Sequence, residues 1–262
     1  MIPKLIHQIW MGAKPPPQAM LATWQAFCRE HGWSYRLWTD DSDPCFDQVR
    51  DKLDDMVDDA TKASCMRYKI LQQYGGVYAD AEAVLVRPLD VAILARDFCA
   101  YENELVRPGL VANAILGFAP GSEIMRYCVD AISRPLRPSL HRCDPFLLSR
   151  AVSLHHDRRS SGSRSRELRI LPARHFYPVH WTAAPAPGVQ LPRSGGPDRA
   201  IYTKQVWDAR KPGRATPERL DVDERTELIA SLERALGIDD ESLAQRANRH
   251  AGGDRRPVVP QT

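Results

Sequence analysis

Between Ala63 and Pro88 the chain reads ASCMRYKILQQYGGVYADAEAVLVRP, and this stretch limits the possible folds more than any other. A helical pattern runs into two successive glycines, Gly75 and Gly76, and a short hydrophobic strand pattern follows them. Glycine suits the left-handed conformation that closes a helix, so a helix is expected to end there and a buried strand to begin. That strand carries two carboxylates, Asp80 and Glu82, one residue apart. Alternate residues of an extended segment face the same side, so both acids are expected to reach one small object. A divalent cation is the natural one. Mg²⁺ and Mn²⁺ take oxygen ligands, often one or two carboxylates, with substrate phosphates completing the shell.

Strand and helix patterns alternate around this segment. Residues 2–10 read as a buried strand, 19–31 as a helix with Met20, Leu21, Trp24 and Phe27 on one face, and 33–38 as a second strand. Asp40, Asp41 and Asp43 read as a turn. The spacing predicts a helix over 58–73, with Ala60, Ala63, Arg67, Ile70, Leu71 and Tyr74 near one face, then a strand over 77–86 interrupted by the acidic pair. A further strand is expected at 113–119 and helices at 122–133 and 145–153. Residues 155–166 read as a mobile loop, 172–197 as irregular coil with short strands, 222–236 and 241–249 as helices, and 252–262 as a disordered end. The alternation predicts an α/β layer fold with a mainly parallel central sheet flanked by helices. It places one domain at 1–215, a helical extension at 216–250 and a tail at 251–262.

Composition narrows the function classes. Of 262 residues, 43% are hydrophobic and 26% charged, as in an ordinary globular protein, and a net charge of +3 argues against a nucleic-acid partner. No run approaches eighteen apolar residues, so no transmembrane segment is expected. The opening MIPKLIHQIW lacks a basic region followed by an apolar core and is not read as a signal peptide. The six cysteines (Cys28, Cys45, Cys65, Cys99, Cys128 and Cys143) form no CxxC pair. They read as buried, reduced thiols of a cytoplasmic protein. His7, His180 and the pair His155-His156 have no zinc-like spacing and read as structural or solvated. Arg158, Arg159, Arg164 and Arg166 mark a solvated basic loop, which leaves peripheral contact with an anionic acceptor or membrane surface open.

Three strings occur in order: IPKLIHQIWMG, MRYKILQQYGGVYADAE and NAILGFAPGSE. Through them the chain resembles the glycosyltransferases with a DXD sugar-binding region, which include yeast α-1,6-mannosyltransferases, α-1,4-galactosyltransferases and, more distantly, clostridial toxin glucosyltransferase domains. The similarity runs from about Ile2 to Asp208. It implies a GT-A fold, a Rossmann-like sheet with ligand at the strand ends, and a retaining transfer from a nucleotide sugar assisted by Mn²⁺ or Mg²⁺. It implies a UDP- or GDP-sugar donor and a glycan or glycolipid acceptor. By the same resemblance Trp10 lies near the nucleotide base, Arg67 contacts diphosphate and sugar, Tyr78 lines the sugar pocket and Asn113 faces the donor sugar. Asp80 would lie near ribose and metal, and Glu82 would ligate the metal directly. A guanidinium suits phosphate because its planar fork donates two parallel hydrogen bonds.

The chain also departs from the family. Ser64 stands where the family has an aspartate that contacts the donor sugar, and Glu82 replaces the second aspartate of DXD. Near the end, Gln205, Trp207 and Asp208 occupy the positions of a common HLWN pattern, with Asp208 able to serve as a metal ligand, while FYPVHW (176–181) matches the family's aromatic-proline segment. RCDPFLLSRA has Asp144-Pro145 where Gly-Pro is common, a helix start in either case. Two other readings fit these residues: a catalytically impaired nucleotide-sugar-binding module, and an effector-like transferase that glycosylates a protein.

Overall fold

The computed structural model describes residues 1–40, 42, 59–132, 144–160, 162, 166–180, 184–189 and 200–205. The chain divides into Met1–Lys211 and Pro212–Thr262. The second unit lies wholly outside the described residues, and with it the two helices and the tail expected there. Asp41, Asp43, Cys45, Cys143, Trp207 and Asp208 also lie outside them.

The strands are β1 (Leu5–Ile9), β2 (Ser34–Trp38), β3 (Gly76–Ala79), β4 (Ala83–Leu85), β5 (Asp97–Tyr101), β6 (Val111–Phe118), β7 (Leu168–Leu171) and β8 (Thr203–Gln205). Among the described residues the α-helices are α1 (Gln18–His31), α2 (Asp59–Tyr74), α3 (Glu123–Ile132) and α4 (Asp144–Ser160). Six strands form one sheet in the order β2-β1-β3-β6-β5-β7, and β4 pairs with β8 in a second, two-stranded sheet. β1 runs parallel to β2 and to β3, β7 runs parallel to β5, and β6 runs antiparallel to both β3 and β5. Every strand of the large sheet except β6 therefore points the same way. This is the mainly parallel α/β architecture expected, and it gathers the carboxyl ends of β1, β3 and β5 on one edge with the amino end of β6.

The double glycine does what its position requires. Gly75 and Gly76 take φ values of +62° and +98°. A Cβ on Gly75 would lie 2.5 Å from the Pro120 Cδ, and one on Gly76 2.6 Å from the Leu5 carbonyl oxygen. Only glycine meets both the backbone conformation and the close approach of neighbouring main chain.

Helix α1 buries Leu21, Trp24, Phe27 and Cys28 along one stripe. Trp24 is fully buried, and its indole N–H donates to the Ala83 carbonyl at 2.8 Å. Thr23 Oγ1 accepts from the Leu85 N–H at 3.1 Å, so the helix holds β4 by its backbone. Burying a large apolar side chain contributes about 2–3 kcal/mol, and the tryptophan adds a hydrogen bond to that. Helix α2 is buried beyond the single stripe its pattern predicts: Ser64, Cys65, Met66, Arg67, Tyr68, Ile70 and Leu71 are all buried, whereas Ala63 and Tyr74 are half-buried. The reason is that α2 packs against α3 on one side and β3 and β6 on the other.

Three expectations need correction. Helix α4 runs on to Ser160, through half of the segment read as a mobile loop. His155 is buried there, with its ring Nε2 2.8 Å from the Arg166 carbonyl oxygen. Strands β5 and β7 were not anticipated: DFCAY is too short, and too buried on both faces, to alternate, and LRIL adjoins a polar segment. The strand expected over 77–86 is two strands in different sheets, separated by a turn. The cysteines Cys28, Cys65, Cys99 and Cys128 are buried, as read.

Candidate active site

The site is built where β3 stops. The Ala83 N–H returns to the Asp80 carbonyl at 2.9 Å and closes a tight turn in which Asp80 is the first residue and Glu82 the third. The acids therefore do not share a face by strand alternation. The residues that do are Tyr78 and Asp80, and the Tyr78 hydroxyl donates to Asp80 Oδ1 at 2.6 Å. The turn is fixed from three directions. The Asp80 N–H donates to the Ala114 carbonyl of β6 at 2.8 Å, the Gln8 carboxamide donates to the Asp80 carbonyl at 3.2 Å, and the Tyr35 hydroxyl holds Gln8 Oε1 at 3.0 Å. Glu82 is half-buried on the far limb of the turn.

Arg67 comes to this turn from helix α2. It is 6% exposed. One terminal nitrogen donates to the Asn113 carbonyl at 2.7 Å and the other to Ser64 Oγ at 2.9 Å. The first also lies 3.6 Å from Asp80 Oδ1, and the guanidinium carbon sits 4.8 Å from the centre of the Tyr78 ring. Ser64 and Arg67 are three residues apart and so neighbours on a helix face. Asn113 reaches them because β6 lies beside β3. Its backbone oxygen, not its carboxamide, makes the contact. Ser64, Arg67, Tyr78, Asp80 and Asn113 are thus brought together, with a nearly buried cation beside a carboxylate that keeps 31% of its side chain exposed.

Trp10 stands one strand over, just past the end of β1. It is half-buried; its backbone N–H donates to the Trp38 carbonyl at 2.9 Å and its indole N–H to the Lys14 carbonyl at 2.6 Å. Asp40, at the end of β2, accepts from the Gly12 N–H at 2.7 Å and so fixes the loop that follows Trp10.

The sequence reading passed over two groups beside this edge. The Tyr177 hydroxyl accepts from the Ile115 N–H of β6 at 2.8 Å. Burial pushes its pKa well above the usual range; the Ile115 hydrogen bond opposes this, Asp80 adds to it, Arg67 opposes and Glu102 adds. The phenol stays protonated at any working pH. The second group is Glu102, just past β5, which lies 2.8 Å from Nε2 of the fully buried His180 and accepts from Arg107 at 3.2 and 3.3 Å. The aromatic-proline segment at 176–181 was the available signal for both, since Tyr177 and His180 lie within it.

Among the described residues no three His, Cys, Asp or Glu side chains converge as a metal site, and Asp208 is outside them. The donor chemistry of the turn nevertheless fits Mn²⁺ or Mg²⁺: two carboxylate residues on one tight turn match the mode in which the cation takes most of its shell from phosphate oxygens and water.

Residues 16–99 match the family model described as the glycosyltransferase sugar-binding region containing DXD motif. The chain is similar to inositol phosphoceramide mannosyltransferase 3 of Schizosaccharomyces pombe, 28% identical over 138 residues that make up 51% of this chain and 38% of that protein. It is similar to mannosyl phosphorylinositol ceramide synthase CSH1 of Saccharomyces cerevisiae, 27% identical over 127 residues, 46% of this chain and 32% of the other. The chain therefore spans well under half the length of these two relatives. Among solved structures, the PaToxG glycosyltransferase aligns with a TM-score of 0.45 at 14% identity, over 58% of this chain and 69% of that one. The acidic turn at Asp80 and Glu82 and the arginine beside it, Arg67, fall within the residues that match this model.

Proposed function

We propose that this chain is a metal-dependent, retaining glycosyltransferase that moves a sugar from a UDP- or GDP-sugar to a hydroxyl of a glycan or lipid-linked glycan. The observation that carries the reading is the placement of Arg67, held on two sides by Ser64 Oγ and the Asn113 carbonyl and 3.6 Å from Asp80 at the carboxyl edge of the sheet. Breaking the bond between sugar carbon and diphosphate builds negative charge on the leaving group. A guanidinium already fixed by protein acceptors meets that charge without reorganising, which is the condition under which electrostatic stabilisation is most effective. Tyr78 fixes the Asp80 carboxylate, and Ser64 presents a neutral hydroxyl to Arg67 instead of a second acid. Bound at the turn, Mn²⁺ or Mg²⁺ would supply further positive charge to the leaving diphosphate; Asp80, Glu82 and Asp208 are the residues that would hold it. Trp10 offers an aromatic face for the base. One relative is named an inositol phosphoceramide mannosyltransferase and another a mannosyl phosphorylinositol ceramide synthase, which supports a mannosyl donor and a glycolipid acceptor.

The test is a panel of nucleotide sugars with Mn²⁺ and glycolipid, glycan or protein acceptors, followed by release of UDP or GDP. Release with one donor, dependent on a glycan or glycolipid acceptor, is expected. Nucleotide binding with no release from any donor would reduce the protein to a binding module, and transfer to protein alone would make it effector-like.

A further inference from the structure

The ladder between β5 and β6 contains a break that the site uses. Phe98 pairs with Gly117 and Ala100 with Ala112, so Cys99 alone stands opposite the four residues Asn113–Leu116. On its other side the same stretch of β6 keeps regular register with β3, through Ile115 with Ala79 and Leu116 with Tyr78. The excess length bows away from β5. Bulges of this kind re-aim groups next to active sites, and this one carries Asn113, whose carbonyl holds Arg67 at 2.7 Å. A bulge leaves buried backbone groups without ladder partners, and these must be satisfied elsewhere. At Ile115 the acceptor is the Tyr177 hydroxyl.

We propose that Tyr177 is a positioning residue: its hydroxyl holds the β6 bulge open and so sets the Asn113 carbonyl against Arg67. The tyrosine is well placed to impose geometry. The residue is 1% exposed, and its backbone N–H donates to the Ala173 carbonyl at 2.6 Å. The preceding Phe176 stacks on Phe98 of β5 with ring centres 5.9 Å apart, and its carbonyl accepts from Thr203 Oγ1 of β8 at 2.8 Å. The segment that carries the phenol is therefore tied to β5 and to the small sheet through Phe176, while the phenol itself holds β6. Neither Asp80 nor Arg67 needs to touch Tyr177 for this; the connection runs through three residues of β6.

The functional side of this inference rests on the glycosyltransferase reading, and the experiment separates the two. Tyr177→Phe removes only the hydroxyl. Amide exchange is followed at Ile115, and affinity for UDP and GDP with Mn²⁺ is measured in the native background and with Arg67→Ala. The expected results are at least about tenfold faster exchange at Ile115 than at Val77 and Leu116, a loss of nucleotide affinity on the order of tenfold in the native background, and less than about twofold further loss when Arg67 is already absent. Unchanged exchange at Ile115 would overturn the proposal, as would losses that simply add in the double variant, because a general structural defect does not act through Arg67. If Tyr177→Phe does not fold, amide exchange in the native protein decides: Ile115 is expected to be as well protected as Val77 and Leu116, and an unprotected Ile115 overturns the proposal. A native protein that binds no nucleoside diphosphate removes the glycosyltransferase reading, while the exchange result still decides the role of Tyr177 in the bulge.

Discussion

Arg67 and His7 are both buried polar side chains, but they are stabilised in opposite ways. Arg67 is a permanent cation whose two terminal nitrogens are taken by oxygen acceptors beside a carboxylate. Replacing it with alanine is expected to lower kcat/KM for the nucleotide sugar by about 10²–10³, the range for losing one well-placed charge donor. Arg67→Lys keeps the charge but not the fork, and an intermediate loss of at least about tenfold is expected in the same assay. His7 is neutral. The Trp38 indole N–H donates to its Nδ1 at 3.0 Å, so its Nε2 carries the proton and donates to the Gly75 carbonyl at 2.9 Å. Burial lowers its pKa from 6.5 to about 4, against the raising effect of the Gly75 hydrogen bond, and Arg36 lowers it further. The unfolded chain therefore binds this proton first as the pH falls. The contribution of His7 is complete above pH 6.5 and is lost progressively towards pH 4, by about 3 kcal/mol in all. Urea unfolding at pH 7 and pH 4.5 should show the loss, and His7→Gln should make the pH dependence shallower.

At the scale of the element, the α2–Gly75–Gly76–β3 unit delivers the site. Its helix brings Ser64 and Arg67, its strand brings Tyr78, and its exit turn brings Asp80 and Glu82. The unit's direction depends on the glycines. Gly76→Ala would combine a φ of +98° with a Cβ 2.6 Å from the Leu5 carbonyl oxygen, and we expect a loss of at least about 2 kcal/mol of stability, read as a lower urea midpoint. This unit was legible in the chain because helical period, glycine pair and short apolar run are all local signals. The face shared by Asp80 and Glu82 was misread, because alternation holds only while the backbone stays extended and the Ala83-to-Asp80 hydrogen bond ends that state. β5 escaped notice because a short central strand buried on both sides has no alternation to detect.

At the scale of the molecule, the sheet places groups from distant parts of the chain on one edge, and a ligand is expected to complete what the protein leaves open. Two carboxylate residues on a turn, with no three-ligand cluster among the described residues, predict weak affinity for Mn²⁺ alone. Thermal unfolding should shift little with Mn²⁺ by itself and rise by roughly 5 °C with Mn²⁺ and the cognate nucleoside diphosphate at about a hundred times its dissociation constant. Chelation should remove the combined shift and leave the melting point of the free protein unchanged. A large shift with Mn²⁺ alone would mean that the protein supplies the whole coordination shell.

The amino-acid sequence by itself determined the α/β class, through the alternation of strand and helix patterns, and the helix that ends at the glycine pair, since period and glycine are signals carried by neighbouring residues. Only the tertiary structure decided which atoms meet. The Arg67 contact with Asn113 spans 46 residues and the Ile115 contact with Tyr177 spans 62. Contacts at such separations are set by strand order and by a three-residue excess in one ladder, and local pattern carries no record of either.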